Sequence, residues 1–340
     1  MSKQSRTDPL IEAAVKRSRL SRLWFITIIF AVLLLFLILA AILDGVPTHL
    51  TRWNFWRLNV NGILTISYIL TIYPFMMRSR ERAVWTFKPL LSLNEDSFNR
   101  LALDITKPSR RWEWLAVFVG IAFTIGIGQP WNLDWTSGHF WQSIYMIIIN
   151  TALWGLLGWL IFDTFVGIVR ISRLSRHDLR LEILDIEMLS PIARWSLVIS
   201  LVFMGGISLN LIFESWQNLK EWNSITTYMT MVCITVLIFF LSMWSAHRAM
   251  ADAKQRKLTL ARKHLVVISR ELEERTKQGQ LGEIGDISNS VNSWVSYRRL
   301  VQEAPTWPFS AGIIRRLLAS MIVPAIVYLI KIFAGLGLRF

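Results

Sequence analysis

Apolar runs of about twenty residues alternate with basic polar segments along the whole chain, and this alternation sets its plan. The organising run is Thr227–Ala246, which carries no charge. At His247 the sequence turns polar, but no Gly or Pro appears before Lys277. Nothing local stops the helix at a membrane surface, so a span is predicted to continue directly into a stalk.

The same pattern gives the other spans in order. Leu23–Leu43 is uncharged and ends at Asp44, Gly45 and Pro47. It is too long for a signal-peptide core and lacks a convincing cleavage site, so a retained first span is predicted. The second fits Leu58–Met77, with Pro74 near its end. Glu113–Gly128 is the third, and Ala116, Gly120, Thr124 and Gly128 recur there every four residues. Such a stripe lets another helix approach closely, as packing must do where lipid supplies no hydrophobic drive. Trp141–Val169 is the fourth, and Trp195–Phe213, with Ser196, Ser200, Ser208 and Gly205-Gly206, the fifth. The organising run is the sixth. A last stretch, Leu317–Leu338, contains Pro324 and Lys331 and reads either as a kinked seventh span or as a membrane-dipping hairpin.

Between spans lie amphipathic pieces. Ser92 and Glu95 match a capping box, with Phe98, Leu101 and Ile105 on one helical face. Leu179, Ile183 and Ile186 repeat that spacing in the linker 170–194. In the stalk, Leu258, Ala261, Leu265, Ile268 and Leu272 step 3, 4, 3, 4, a heptad seam of about two repeats. Gly279, Gly282 and Gly285 break it, and a second helix bearing Ile287, Val291, Trp294, Val295 and Val301 is predicted to return antiparallel. The arm interface is therefore expected to use Leu258, Leu265, Ile268, Leu272 and Trp294.

The fold class is an all-α polytopic helical membrane protein, with six or seven transmembrane helices and a cytosolic helical arm. Residues 1–22 form a basic N-terminus, 23–246 a six-helix bundle with linkers 78–111 and 170–194, 247–308 the arm hairpin, and 309–340 a last membrane-associated helix.

Composition agrees with this plan. Of 340 residues 53% are hydrophobic and only 18% charged, against about 25% in soluble domains. The formal charge of +14 would suit a nucleic-acid binder, but Lys and Arg cluster beside the apolar runs rather than on one soluble module. Nucleic acid is therefore excluded as a partner. One side holds Lys3, Arg6, Lys16, Arg17, Arg19, Arg22, the 78–111 and 170–194 clusters and the arm, whereas the other holds only Arg52, Arg57 and Lys220. That bias puts the N-terminus and arm in the cytosol. The single cysteine, Cys233, lies inside the sixth run and permits no intrachain disulfide.

Candidate chemistry is sparse. His49, His139, His177, His247 and His264 fall in different segments. His49 and His139 can meet outside the membrane, but two histidines without a nearby thiolate make a weak metal case. No metal, cofactor or catalytic residue is expected, and an enzyme is the least favoured class. The polar candidates within spans are Asn150, Asp163 and Asn210, with Asn61, Glu214 and Lys331 nearer span ends. Asp163 is the one acid well inside an apolar run, and such an acid is by default a functional candidate. The competing reading, favoured by sequence, puts it at the inner interface, paired with Arg170 or reached by water. Asn150 and Asp163 lie about 140° apart around the helix and make no common stripe.

The segments LDIEMLSPIARWSL (Leu184–Leu197) and EAPTWPFSAGIIRRLL (Glu303–Leu318) resemble segments of uncharacterised bacterial multi-pass membrane proteins, covering roughly the C-terminal half. The resemblance implies a bacterial inner membrane and carries no function to transfer. Two functions are expected: a self-associating channel or transporter-like protein with an assembling or gating arm, or a non-transporting signalling scaffold whose arm recruits a cytosolic partner. Either meets the lipid bilayer.

Overall fold

The structure is a computed structural model and describes residues 9–89, 94–98, 110–128, 139–174, 190–215, 217–278, 284–307 and 311–337. These residues form nine helices of eight residues or more, two short 3-10 turns and no strand: α1 (Leu10–Ser18), α2 (Arg22–Leu43), α3 (Trp53–Trp85), α4 (Arg110–Gly128), α5 (Phe140–Leu174), α6 (Ser190–Phe213), α7 (Trp222–Lys277), α8 (Ile284–Glu303) and α9 (Ala311–Gly337). Six of them, α2, α3, α5, α6, α7 and α9, are long and apolar enough to cross a membrane. α4 has 19 residues and packs along α5. The chain is a multi-pass, all-helical membrane protein. The end from which α7 projects is called the arm side, the other the far side.

α4 and α5 pack most closely, and the small residues explain why. A Cβ on Gly120 would sit 2.2 Å from the Trp154 carbonyl oxygen, and one on Gly158 would sit 2.8 Å from that of Ala116. Neither position tolerates a side chain without moving backbone. Ala116 is buried and the Thr124 hydroxyl turns back to the Gly120 carbonyl, 3.3 Å away. The stripe thus faces α5, while the contacts of Gly128 lie outside the described residues.

α3 runs past the bounds expected from sequence at both ends. Pro74 sits inside it without ending it, and Arg78, Arg80 and Arg82 belong to the same helix. α5 likewise continues through Arg170 to Leu174. Basic flanks extend a helix readily once its apolar turns are formed, so polarity marks the membrane boundary and not the helix end. Only 95–98 of the predicted capping-box helix is described, with Phe98 buried beside Trp85 at 5.6 Å between ring centres. The linker residues Leu179, Ile183 and Ile186, and the glycines Gly279 and Gly282, lie outside the described residues.

α9 is one unbroken helix, long and apolar enough to cross a membrane. It lies parallel to α6, burying Ile313 and Leu317 against Ala193 and Leu197 at the arm side. At the far side the Lys331 ammonium donates to the carbonyls of Ile212 and Glu214. Those are carbonyls at the α6 C-terminus, where a cation satisfies orphan acceptors and the helix dipole together. The choice left open by the sequence is resolved against the hairpin.

α7 has 56 residues, or about 84 Å of helix, and passes from the bundle into the arm unbroken. α8 packs back along the arm. Leu258, Ala253 and Tyr297 surround Val301 and Ala304, and the His264 and Trp294 rings stack at 4.4 Å. Lys254 donates to the carbonyls of Gln302 and Ala304, both at 2.7 Å, closing the C-terminal end of α8. Ala261 is fully buried, whereas Leu265, Ile268 and Leu272 are only half-buried. At the membrane end of the arm, His247 stacks on Trp307 at 4.0 Å and its Nδ1–H donates to the Thr306 carbonyl.

Candidate functional site

The residues that carry charge into the bundle come from three helices. Tyr73 and Arg80 are seven apart on α3, Trp159 and Asp163 four apart on α5, so each pair shares one helical face. Those faces meet. The Arg80 guanidinium donates through Nη1 to Asp163 Oδ2 at 3.1 Å, to Oδ1 at 3.2 Å and to the Asp163 carbonyl at 3.2 Å. Arg80 and Asp163 side chains are 4% and 5% exposed, so this is a buried ion pair.

Gly167, one turn beyond Asp163, makes the room. A Cβ there would lie 3.0 Å from Arg80 Nη1 and 3.1 Å from its Cδ. Tyr73 lies over Trp159 with ring centres 4.7 Å apart. The indole N–H of Trp159 donates to Glu113 Oε1 at 3.2 Å, which brings in α4. Glu113 is fully buried. Its carboxylate also faces the backbone N–H of Leu10 at the start of α1. Pro9, the residue before α1, has no side chain able to cap it. Glu113 therefore places from another helix a negative charge where the α1 dipole favours one. The Glu12–Arg22 ion pair ties α1 to α2.

Three buried polar atoms in this cluster have no protein partner: Tyr73 OH, Arg80 Nε and Glu113 Oε2. Buried groups of this kind are satisfied by internal water or by a ligand. The arrangement sets unpartnered donors and acceptors beside a fixed ion pair.

The expectation of an interfacial, water-reached Asp163 is corrected. The residue is 4% exposed and turned into the bundle, and Arg80 on a neighbouring span is its partner. The sequence reading missed Arg80 because it sits in Arg78–Arg82, a run with the look of a basic membrane flank. It also missed Glu113, placed at the lip of a span, and Gly167. The available signal was the Gly at position 167, one turn after the acid on the same face.

Asn210 belongs to a separate network toward the far side. Asn61 Nδ2 donates to Asn210 Oδ1 at 3.2 Å, and Asn210 Nδ2 donates to Thr65 Oγ1 at 3.3 Å and to the Gly206 carbonyl at 3.0 Å. Next to it Tyr68 OH donates to the Val202 carbonyl at 2.9 Å, and a Cβ on Gly205 would fall 2.5 Å from that hydroxyl. Asn61, Thr65 and Tyr68 lie about 100° around α3 from Tyr73 and Arg80, so the two clusters face different neighbours. Asn150 is exposed on α5 and joins neither.

No known family, curated protein or solved structure matches this chain. The reading of its function therefore rests on its own residues.

Proposed function

We propose that this chain is a self-associating, channel- or transporter-like protein of the bacterial inner membrane, with its arm in the cytosol as an assembling or gating element. The observation that carries the reading is the buried Arg80–Asp163 pair with Glu113 beside it. Replacing a buried ion pair with apolar residues of similar volume is often neutral or stabilising, so stability alone does not explain its presence. Ionisable residues inside a bundle are expensive and mark ion, proton or substrate pathways. The orphaned Tyr73, Arg80 and Glu113 atoms leave hydrogen-bonding capacity unused at the same place. Orientation follows from the basic residues, which gather on the arm side. An unbroken α7 gives the arm a rigid connection to helices α5 and α6, against which it packs.

A scaffold without transport is the second reading, favoured by Leu260 and Val267. These lie two turns apart on one side of the arm and are 48% and 62% exposed, so they offer a strip to a partner. Liposomes containing the purified protein separate the two. Ion or proton flux under an imposed gradient supports the first reading, and its absence across monovalent ions, divalent ions and protons supports the second.

A further inference from the structure

His49 and His139 are ninety residues apart in sequence yet face each other on the far side, with ring centres 6.0 Å apart and planes tilted by 40°. His49 lies in the 3-10 turn Pro47–Thr51 between α2 and α3, and His139 directly precedes α5. Both backbones are held. The Asp44 carboxylate accepts the amides of Trp141 and Gln142, each at 2.9 Å, which caps α5 with a residue from the end of α2. The His139 carbonyl accepts the amide and hydroxyl of Ser143 at 3.1 and 3.0 Å. The Arg52 amide in turn donates to the His49 carbonyl. His139 Nδ1 is buried and has no protein partner.

We infer that His49 and His139 together bind a late first-row divalent cation, Zn2+, Ni2+ or Cu2+, on the far side of the bundle. Neutral imidazole is the commonest protein ligand for these ions, whereas Mg2+ and Ca2+ require oxygen donors. A metal about 2.0–2.1 Å from one nitrogen of each ring lies about 3.2 Å from each ring centre, so a shared ion spans up to about 6.4 Å between centres. The observed 6.0 Å falls inside that limit. A tetrahedral angle needs the centres about 0.8 Å closer, a side-chain adjustment. Among the described residues no third His, Cys, Asp or Glu completes a cluster, and both Asp44 oxygens are occupied by amides. The ion would fasten the α2–α3 turn to the start of α5, independently of what the bundle transports.

The test uses full-length protein in detergent, stripped with chelator and free of any histidine tag. Zn2+ and Cu2+ are titrated by calorimetry, and the Cu2+ complex is examined by electron paramagnetic resonance. One ion per chain is expected, with nitrogen splitting from two imidazoles. His49→Gln and His139→Gln should each weaken binding about tenfold or more, while His247→Gln, in the arm, should not. If His139→Gln misfolds, His49→Gln decides alone, because the His49 ring touches only the Phe55 and His139 rings among the described aromatic contacts. No saturable site, a spectrum with fewer than two nitrogens, or equal binding by His49→Gln would overturn the proposal.

Discussion

Asp163→Asn isolates the buried ion pair. In the native protein the Arg80 guanidinium is 4% exposed and directs Nη1 at both carboxylate oxygens. The amide is nearly isosteric but neutral, so Arg80 would remain buried with its charge uncompensated. Breaking such a pair from one side costs about 3–5 kcal/mol, whereas the same change in an exposed interfacial pair costs about 0–1 kcal/mol. The two locations therefore differ by several-fold in one number. Equilibrium unfolding in mixed micelles, followed by tryptophan fluorescence, measures it. Trp159 and Trp195, both 2% exposed or less, report on the affected region. The double variant Arg80→Met with Asp163→Leu removes both charges and should recover most of the loss, and the cycle of single and double changes isolates the coupling. A loss below about 1 kcal/mol for Asp163→Asn, or a double variant no better than the single, would refute the burial reading.

Gly120→Leu should cost at least about 1–3 kcal/mol and lower the folded yield in detergent, since even a Cβ meets the Trp154 carbonyl at 2.2 Å; unchanged thermal stability would mean that α4 and α5 do not touch there. Glu113→Ala removes the carboxylate that faces the start of α1, and hydrogen exchange in 10–18 should rise about fivefold, matching a loss of about 1 kcal/mol for a charge at a helix N-terminus. Equal exchange in both proteins would show that α1 is held by other contacts. In the arm, Trp294→Asp breaks the stack on His264 and should destabilise the hairpin by roughly 1–3 kcal/mol, with Leu265→Asp smaller because Leu265 is half-exposed. If neither lowers the melting temperature, α8 is not packed on α7.

The spans were legible because a bilayer demands about twenty apolar residues, which hydropathy alone reveals. Helix rotation was not legible, because all-round apolar helices carry little amphipathic signal and their facing is set by packing. Asp163 shows the consequence: its depth suggested an interface, but its azimuth on α5 points at α3, where Arg80 reaches it from outside the apolar run. Lys331 is the reverse case. It interrupts an apolar stretch and made the last span ambiguous, yet its ammonium is consumed by the α6 C-terminus. The Gly120 stripe was readable because small residues announce close packing whatever the partner is. That His49 and His139 could share one side followed from topology, but their separation of 6.0 Å required the structure.

Flux through proteoliposomes tests the central reading most directly, comparing native protein with the Arg80→Met, Asp163→Leu double variant. The variant keeps the packing volume and loses only the buried charges, so folding and function are read separately. The account predicts measurable ion or proton flux for the native protein and its loss in a double variant that is correctly folded and inserted. Native protein with no flux for any ion tested, or a double variant that conducts as well as the native chain, would contradict it.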